Sequence, residues 1–265
     1  MRLQDKTAIV IGAGQGPGTG MGNGRATVLR FAQEGAKVLA VDRDLRSAEE
    51  TAAMVKPAGA CVAFEADVTK EATLAAAITH ARERFGRVDI LHYNVGVSIA
   101  GGDARPTEIT EEAFDRVCAI NLRGAVMAVK HVLPVMRAQG AGVIIMISSV
   151  SALENYPYVT YKATKAAMIA FTQQIAIQNA EFGIRANVIL PGLMDTPMAV
   201  DTRARASNRP RADIAAERDA RVPLGRKMGT AWDVANAALF LASDEAGFVT
   251  GVSFPVDGGL LLKVG

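Results

Sequence analysis

A doubly wound parallel α/β sheet of about seven strands is the fold this sequence predicts, and three observations predict it. Short apolar, β-branched runs alternate with longer stretches of helical periodicity along the chain. A glycine-rich turn follows the first run directly. No repeat, low-complexity tract or linker divides the chain. The strands are expected at Thr7–Ile11, Lys37–Val41, Cys61–Phe64, Val88–Leu91, Val143–Ile147, Arg185–Leu190 and Val252–Val256. Between them, helical spacing of apolar residues places helices at Asn23–Gln33, Arg46–Met54, Glu71–Phe85, Glu111–Arg137, Pro157–Glu181 and Trp232–Ala242. Strands separated by helix-length segments are joined by crossovers, which makes the sheet parallel and covers both of its faces.

Composition bounds the function. With 265 residues, 50% hydrophobic and 21% charged, the chain can bury one large core, so a single domain is expected over 1–265. A formal net charge of +2 with dispersed charges argues against a nucleic-acid or membrane-surface partner and for a small molecule. Cys61 and Cys118 are the only cysteines, and His80, His92 and His131 lack metal-ligand spacing, so neither a disulfide scaffold nor a metal site is expected. The expected compartment is a reducing cytoplasm. MRLQDK runs straight into a strand without a signal-like region, and no apolar run approaches the roughly 20 residues of a membrane helix.

Residues 12 to 24 carry glycine at every even position. Glycine at a strand-to-helix turn permits positive φ and lets backbone N–H groups approach a pyrophosphate at the helix N-terminus. This turn follows the first strand, opens a helix and precedes Asp42 at the end of the second strand, the context that separates a nucleotide site from a surface loop. A carboxylate there accepts bonds from ribose hydroxyls and repels a 2′-phosphate, favouring NAD over NADP. Arg43 and Arg46 stand close enough in sequence to soften that repulsion.

Tyr161 and Lys165 stand four residues apart just inside a helix expected from Pro157. The spacing puts both on one face, about 6 Å apart along the axis. An ammonium beside a phenol favours the phenolate, which brings proton exchange with an alcohol or ketone oxygen toward neutral pH.

With the glycine turn, Asp42, Asn121, Ser149, Tyr161 and Lys165 in order, the chain closely resembles the short-chain dehydrogenase/reductase family over nearly its whole length. Further points of likeness are Asp67-Val68, Asn94-Val95-Gly96, Pro191-Gly192 through Thr196, and Val256-Asp257-Gly258-Gly259. The resemblance implies a Rossmann-like fold. It implies that Gly12, Gly22, Asn23 and Gly24 hold the pyrophosphate, Asp67 and Val68 border the adenine, and Asn94 and Gly96 line the cofactor floor. Pro191 and Gly192 would flank the nicotinamide end, with Thr196 at the carboxamide. Tyr161 would be the general acid/base, Lys165 would lower its pKa and hold the nicotinamide ribose, Ser149 would bond the substrate oxygen, and Asn121 would support a water and the proton relay. Two features depart from the family pattern. Tyr93 replaces the first Asn of an Asn-Asn pair, and the glycine turn is about six residues longer than usual. Its end aligns on Gly22-Asn23-Gly24-Arg25-Ala26, while Gly16 and Gly18 fit the shorter spacing. Ser148 lies thirteen residues before Tyr161, a frequent family spacing, and Ser149 twelve; Val150-Ser151-Ala152 favours Ser149.

The expected function is NAD-dependent interconversion of a secondary alcohol and a ketone. The alternatives are a 3-oxoacyl-carrier-protein reductase, against which Asp42 speaks, and a nonenzymatic dinucleotide sensor, against which the Tyr–Lys pair speaks. Apolar residues on more than one face of two helices, among them Val126, Val129, Val132, Ile169, Phe171 and Ile175, allow packing on the sheet, and the resemblance implies a homotetramer. The polar segment 196–226 is a candidate substrate lid. Its Arg203, Arg205, Arg209 and Arg211 are read as solvated, with an anionic substrate as the other possibility.

Overall fold

The computed structural model describes residues 1–57 and 60–262; positions 58–59 and 263–265 of the expected domain lie outside the described residues. Seven strands form the main sheet: β1 (Thr7–Ile11), β2 (Lys37–Asp42), β3 (Cys61–Glu65), β4 (Ile90–Tyr93), β5 (Gly142–Ile147), β6 (Ile184–Pro191) and, last in the chain, β9 (Ser253–Val256). A two-stranded pair, β7 (Met194–Asp195) and β8 (Gly229–Thr230), stands apart. The main order is β3-β2-β1-β4-β5-β6-β9, and its pairings are parallel.

The strand period of two sorts each strand's apolar residues onto opposite faces. Ile9, Ile11, Leu39, Val41, Leu91, Tyr93, Ile144 and Met146 join one core, covered by α3 (Glu71–Phe85), α5 (Gly124–Gln139) and α6 (Val159–Asn179). Ala8, Val10, Val38, Ala40, Ile90, Ile145 and Ile147 join the other, beneath α1 (Asn23–Gln33) and α9 (Ala231–Ala242), with α2 (Leu45–Ala53) at the β2–β3 edge. Both faces are buried, so the strands read as continuous apolar runs.

The departures from expectation have local causes. Strand β4 starts at Ile90; just before it, the Asp89 carboxylate accepts the amide of Thr7 at 2.8 Å and the guanidinium of Arg87. The helix expected over Glu111–Arg137 is α4 (Glu111–Cys118), a wide π-type turn (Ala119–Arg123) and α5. Among the described residues, Glu111–Gln139 is the one helix long and apolar enough to cross a membrane, a correction to the expectation of none; here it packs Ala125, Ala128, Val129, Val132 and Met136 into the core. The segment 196–226 is folded, with a π-type turn (Pro197–Asp201), α7 (Thr202–Ser207) and α8 (Arg211–Asp219).

The order reverses between β1 and β4, the strands from which the chain leaves toward opposite faces. Such a switch point leaves a crevice beyond the carboxyl ends of the strands, and the glycine turn after β1 and the loop after β4 border it.

Candidate active site

A cavity of about 380 Å³ lies over this crevice. At one end, α1 opens on Gly22, an extended N-cap with no side-chain cap, and Gly22, Asn23 and Gly24 line the cavity. Its first amides have no side-chain cap, an arrangement suited to an anion. A Cβ on Gly24 would stand 1.9 Å from the carbonyl oxygen of Gly12. Only glycine lets the helix start this close to β1. Gly12 itself is at φ +84, and its carbonyl accepts Asn94 Nδ2 at 3.1 Å.

The extension of the glycine turn is stapled at its base by Gln15, whose Oε1 accepts the amide of Gly22 at 2.8 Å and whose Nε2 donates to Gly20 at 3.1 Å. The helix therefore begins after Gly22, and Gly16 and Gly18 sit on the exposed loop before it. That loop meets the segment 196–226. The amide of Thr19 donates to Asp201 Oδ1 at 3.1 Å, Arg205 donates to the carbonyl of Pro17 at 3.2 Å, and Arg211 bonds Asp201 and Asp195.

Asp42 stands at the end of β2, where its carboxylate accepts the amides of Gly14 at 2.9 Å and Asp44 at 3.1 Å. Arg43 and Arg46 are exposed at this corner. Asp67 accepts both the amide and hydroxyl of Thr69, at 2.9 and 2.7 Å, and neighbouring Val68 is buried. Gly12, Asp42, Asp67 and Val68 flank the main cavity without lining it, whereas Asn94, Gly96, Pro191, Gly192 and Thr196 line it. Gly192 packs so tightly on the following turn that a Cβ would lie 2.6 Å from Asp257 Cα. Thr196 caps the π-type turn Pro197–Asp201, accepting the amide of Ala199 at 3.3 Å.

At the other end, Ser149, Tyr161 and Lys165 line one wall. Helix α6 begins at Val159, two residues after the expected start, and Tyr158 supplies no side-chain cap. Asp103 caps it from outside, accepting the amides of Thr160 and Tyr161 at 2.9 Å each. Lys165, 2% exposed, donates to the carbonyls of Ile147 at 2.7 Å and Val95 at 3.5 Å. Burial pushes its ammonium down to about 7. Its nitrogen lies 5.7 Å from the Tyr161 ring centroid. Burial pushes the Tyr161 phenol up to about 12, and the nearby Tyr156 adds to the rise. The nearby Ser149 hydroxyl and the charges of Arg203 and Arg218 pull it back. Lys165 is turned toward the backbone carbonyls of Ile147 and Val95, and desolvation is the largest influence on the phenol.

The two serines diverge. Ser148 Oγ donates to the backbone carbonyl of Lys165 at 2.7 Å in a buried contact, whereas Ser149 Oγ faces Tyr161 and accepts the amide of Ser151 at 3.1 Å. Asn121 sits in the π-type turn behind the cavity wall. Its Oδ1 accepts the amide of Val97 at 2.8 Å, and its Nδ2 donates to the carbonyl of Val97 at 2.9 Å and to Thr164 Oγ1 at 3.1 Å. It thereby fixes the loop carrying Gly96 to α6. Tyr93, at the departure from the Asn-Asn pair, is buried and donates to the carbonyl of Ile120 at 2.8 Å, bracing the same turn.

Sequence reasoning missed Gln15, Asp103, Tyr156, Arg218 and Arg221. Gln15 was within reach of it, being the one long polar residue inside the glycine run. Tyr156 stands five residues before Tyr161 without a pattern that marks it, and Asp103, Arg218 and Arg221 act across long separations that no local pattern encodes.

Residues 18–261 match the family model described as enoyl-(acyl carrier protein) reductase. Levodione reductase of Leifsonia aquatica is 35% identical over 97% of this chain and 95% of its own. The 2-(R)-hydroxypropyl-CoM dehydrogenase of Xanthobacter autotrophicus is 37% identical over 96% and 97%. A crystal structure from Burkholderia xenovorans, described as of the short-chain dehydrogenase/reductase type, superposes with TM-score 0.89 at 42% identity, covering 100% of this chain and 99% of that one.

Proposed function

Because the chain belongs to the short-chain dehydrogenase/reductase family, we propose that it is an NAD-dependent oxidoreductase interconverting a secondary alcohol and a ketone. The observation that carries the reading is the meeting of Tyr161, Ser149 and Lys165 on one wall of a cavity whose far end is the uncapped start of α1. The uncapped amides, with the Gly24–Gly12 approach that leaves no room for a Cβ, fit the pyrophosphate of a dinucleotide. When bound, that dinucleotide supplies the hydride acceptor or donor.

The chain's own residues do the rest. Tyr161 takes the hydroxyl proton of the alcohol, or returns it to the ketone oxygen, and Ser149 holds that oxygen beside the phenol. Lys165 would hold the nicotinamide ribose and add positive charge beside Tyr161, and Asn121 keeps the floor at Gly96 in place. Gly12, Gly22, Asn23 and Gly24 would hold the pyrophosphate, Asp67 and Val68 the adenine end, and Asn94, Gly96, Pro191, Gly192 and Thr196 the nicotinamide end. Asp42 selects NAD, since its carboxylate stands where a 2′-phosphate would bring like charge. Residues 196–226 form the substrate lid. The partly exposed apolar side chains of α4 and α6, Phe114 at 44% and Ile177 at 73%, support a homotetramer, and the unpaired Cys61 and Cys118 suit a reducing cytoplasm.

The test is to offer secondary alcohols, sugars, hydroxy acids and steroids with NAD or NADP, following reduced-cofactor absorbance. Turnover with NAD supports the reading. Binding without turnover on any alcohol or ketone would replace it with a dinucleotide sensor, and a preference for NADP would remove the role given to Asp42. Light scattering on the eluting protein reads the tetramer directly.

A further inference from the structure

The lid brings three arginines to the cavity beside Tyr161: Arg203 of α7, Arg218 of α8, and Arg221 just after it. They differ from the other lid arginines. Arg205 is spent on the carbonyl of Pro17, Arg209 on Glu217, and Arg211 on Asp195 and Asp201. Arg203 gives one nitrogen to the carbonyl of Ala199 at 2.8 Å, and none of the three cavity arginines forms an ion pair among the described residues. Arg218 is the odd member. It is 8% exposed, and its Nε is buried with no hydrogen-bond partner. A guanidinium so desolvated is costly unless something pairs with it.

The neighbouring acids do not serve. Asp195 and Asp201 hold Arg211, Asp219 accepts the amide of Met228 at 2.7 Å, and Asp103 is committed to the start of α6. Glu154 also lines the cavity, but it forms no ion pair with the three arginines among the described residues. Burial, and then repulsion by the charges of Arg203 and Arg221, hold Arg218 down at about 10, which still leaves it protonated at neutral pH. Three positive charges therefore face a cavity with one carboxylate in its lining, and two of them, Arg203 and Arg218, are near enough to act on the phenol of Tyr161.

We propose that Arg203, Arg218 and Arg221 form an oxyanion-binding subsite, so that the substrate is a secondary alcohol or ketone bearing a carboxylate or sulfonate close to its reacting carbon. Guanidinium groups pair with two oxygens of a carboxylate or a tetrahedral oxyanion through two parallel N–H bonds, which would give the orphaned Nε its partner. The inference rests on the alcohol–ketone reading above and names its substrate class.

The test uses 2-, 3- and 4-hydroxypentanoate, the matching hydroxypentanesulfonates, and the methyl esters of the acids, which keep the hydroxyl and lose the charge. For at least one hydroxyl position, the anion is expected to exceed its ester by at least about tenfold in kcat/KM. The carboxylate and sulfonate arms tell the two head groups apart. In Arg218→Met and Arg203→Gln the anion-to-ester ratio falls toward one, while Arg209→Met, which removes an equal charge from the same lid, leaves it unchanged. Esters oxidised as well as the anions at every position, or a ratio that survives both cavity variants, would overturn the subsite and leave the dehydrogenase reading standing. If no compound is oxidised, calorimetric titration of the anions into NAD-loaded protein decides: binding lost in both cavity variants upholds the subsite while the alcohol chemistry falls, and absence of binding overturns it.

Discussion

The hydroxyl of Ser148 donates to the backbone carbonyl of Lys165 at 2.7 Å, buried between β5 and α6. That bond ties the strand end to the helix carrying Tyr161 and Lys165, and it takes Ser148 out of the cavity chemistry. Ser149 is left to face the phenol. Ser149→Ala should therefore lower turnover by about 100-fold. Ser148→Ala should cost about 1 kcal/mol of stability through the lost bond and much less turnover. Steady-state rates and denaturant midpoints on both variants check this, and the reverse order of rates would move the role to Ser148.

Tyr161→Phe keeps the ring in place and deletes the proton-transfer group. Turnover should fall by at least about 100-fold with most NAD affinity retained. Lys165→Ala should weaken both, because it removes the donor to Ile147 and Val95 as well as the charge. Turnover and NAD titration on the same preparation separate the two.

A phenol pushed up to about 12 is a base only where the solution is alkaline. The kcat/KM for alcohol oxidation should rise across roughly pH 7 to 10, since the reactive form is the deprotonated one. Losing the Ser149 hydroxyl, which opposes the rise of that pKa, should move the ascending limb to higher pH in Ser149→Ala. A limb that stays in place would mean that Ser149 does not bond the phenol in solution.

Asp201 joins the glycine turn to the segment 196–226 by accepting the amide of Thr19 and the Nε of Arg211. Asp201→Ala should free residues 16–21, seen as faster limited proteolysis there, and raise the KM for NAD by roughly fivefold, because ordering the loop must then be repeated at each binding event. Asp42→Ala should instead narrow the gap between NAD and NADP dissociation constants without exposing that loop.

His92 is fully buried on β4 with neither ring nitrogen bonded, and burial pushes it down to about 3. Below about pH 6.5 the unfolded chain takes up a proton there that the folded chain refuses. The unfolded state then binds more protons, so stability falls as pH drops from about 6.5 toward 3. His92→Leu, of similar volume, should lose less Tm between pH 7 and pH 5 than the parent, measured by thermal unfolding.

The sequence by itself determined the layered sheet, the helix opening at Gly22, and the pairing of Tyr161 with Lys165 on α6. Each of these is set by neighbours a few residues away: a short apolar run in β1, glycines between a strand and a helix, a four-residue spacing. It also carried Asn121, although as an oddity within an apolar helix and not as the clamp on Val97 that the π-type turn makes of it. Only the tertiary structure decided which of two adjacent serines faces the phenol, and that Asp103 caps α6 across 57 residues. The same holds for the glycine turn, which is held to the segment 196–226 across 182 residues, and for the arginines of that segment, of which Arg205, Arg209 and Arg211 are spent on partners while Arg203 and the unforeseen Arg218 face the cavity. The physical reason is one of range. Periodicity and turn chemistry are written in local order, but burial, and with it the displaced protonation of Lys165 and Tyr161, depends on atoms that come together only when distant segments close over the same crevice.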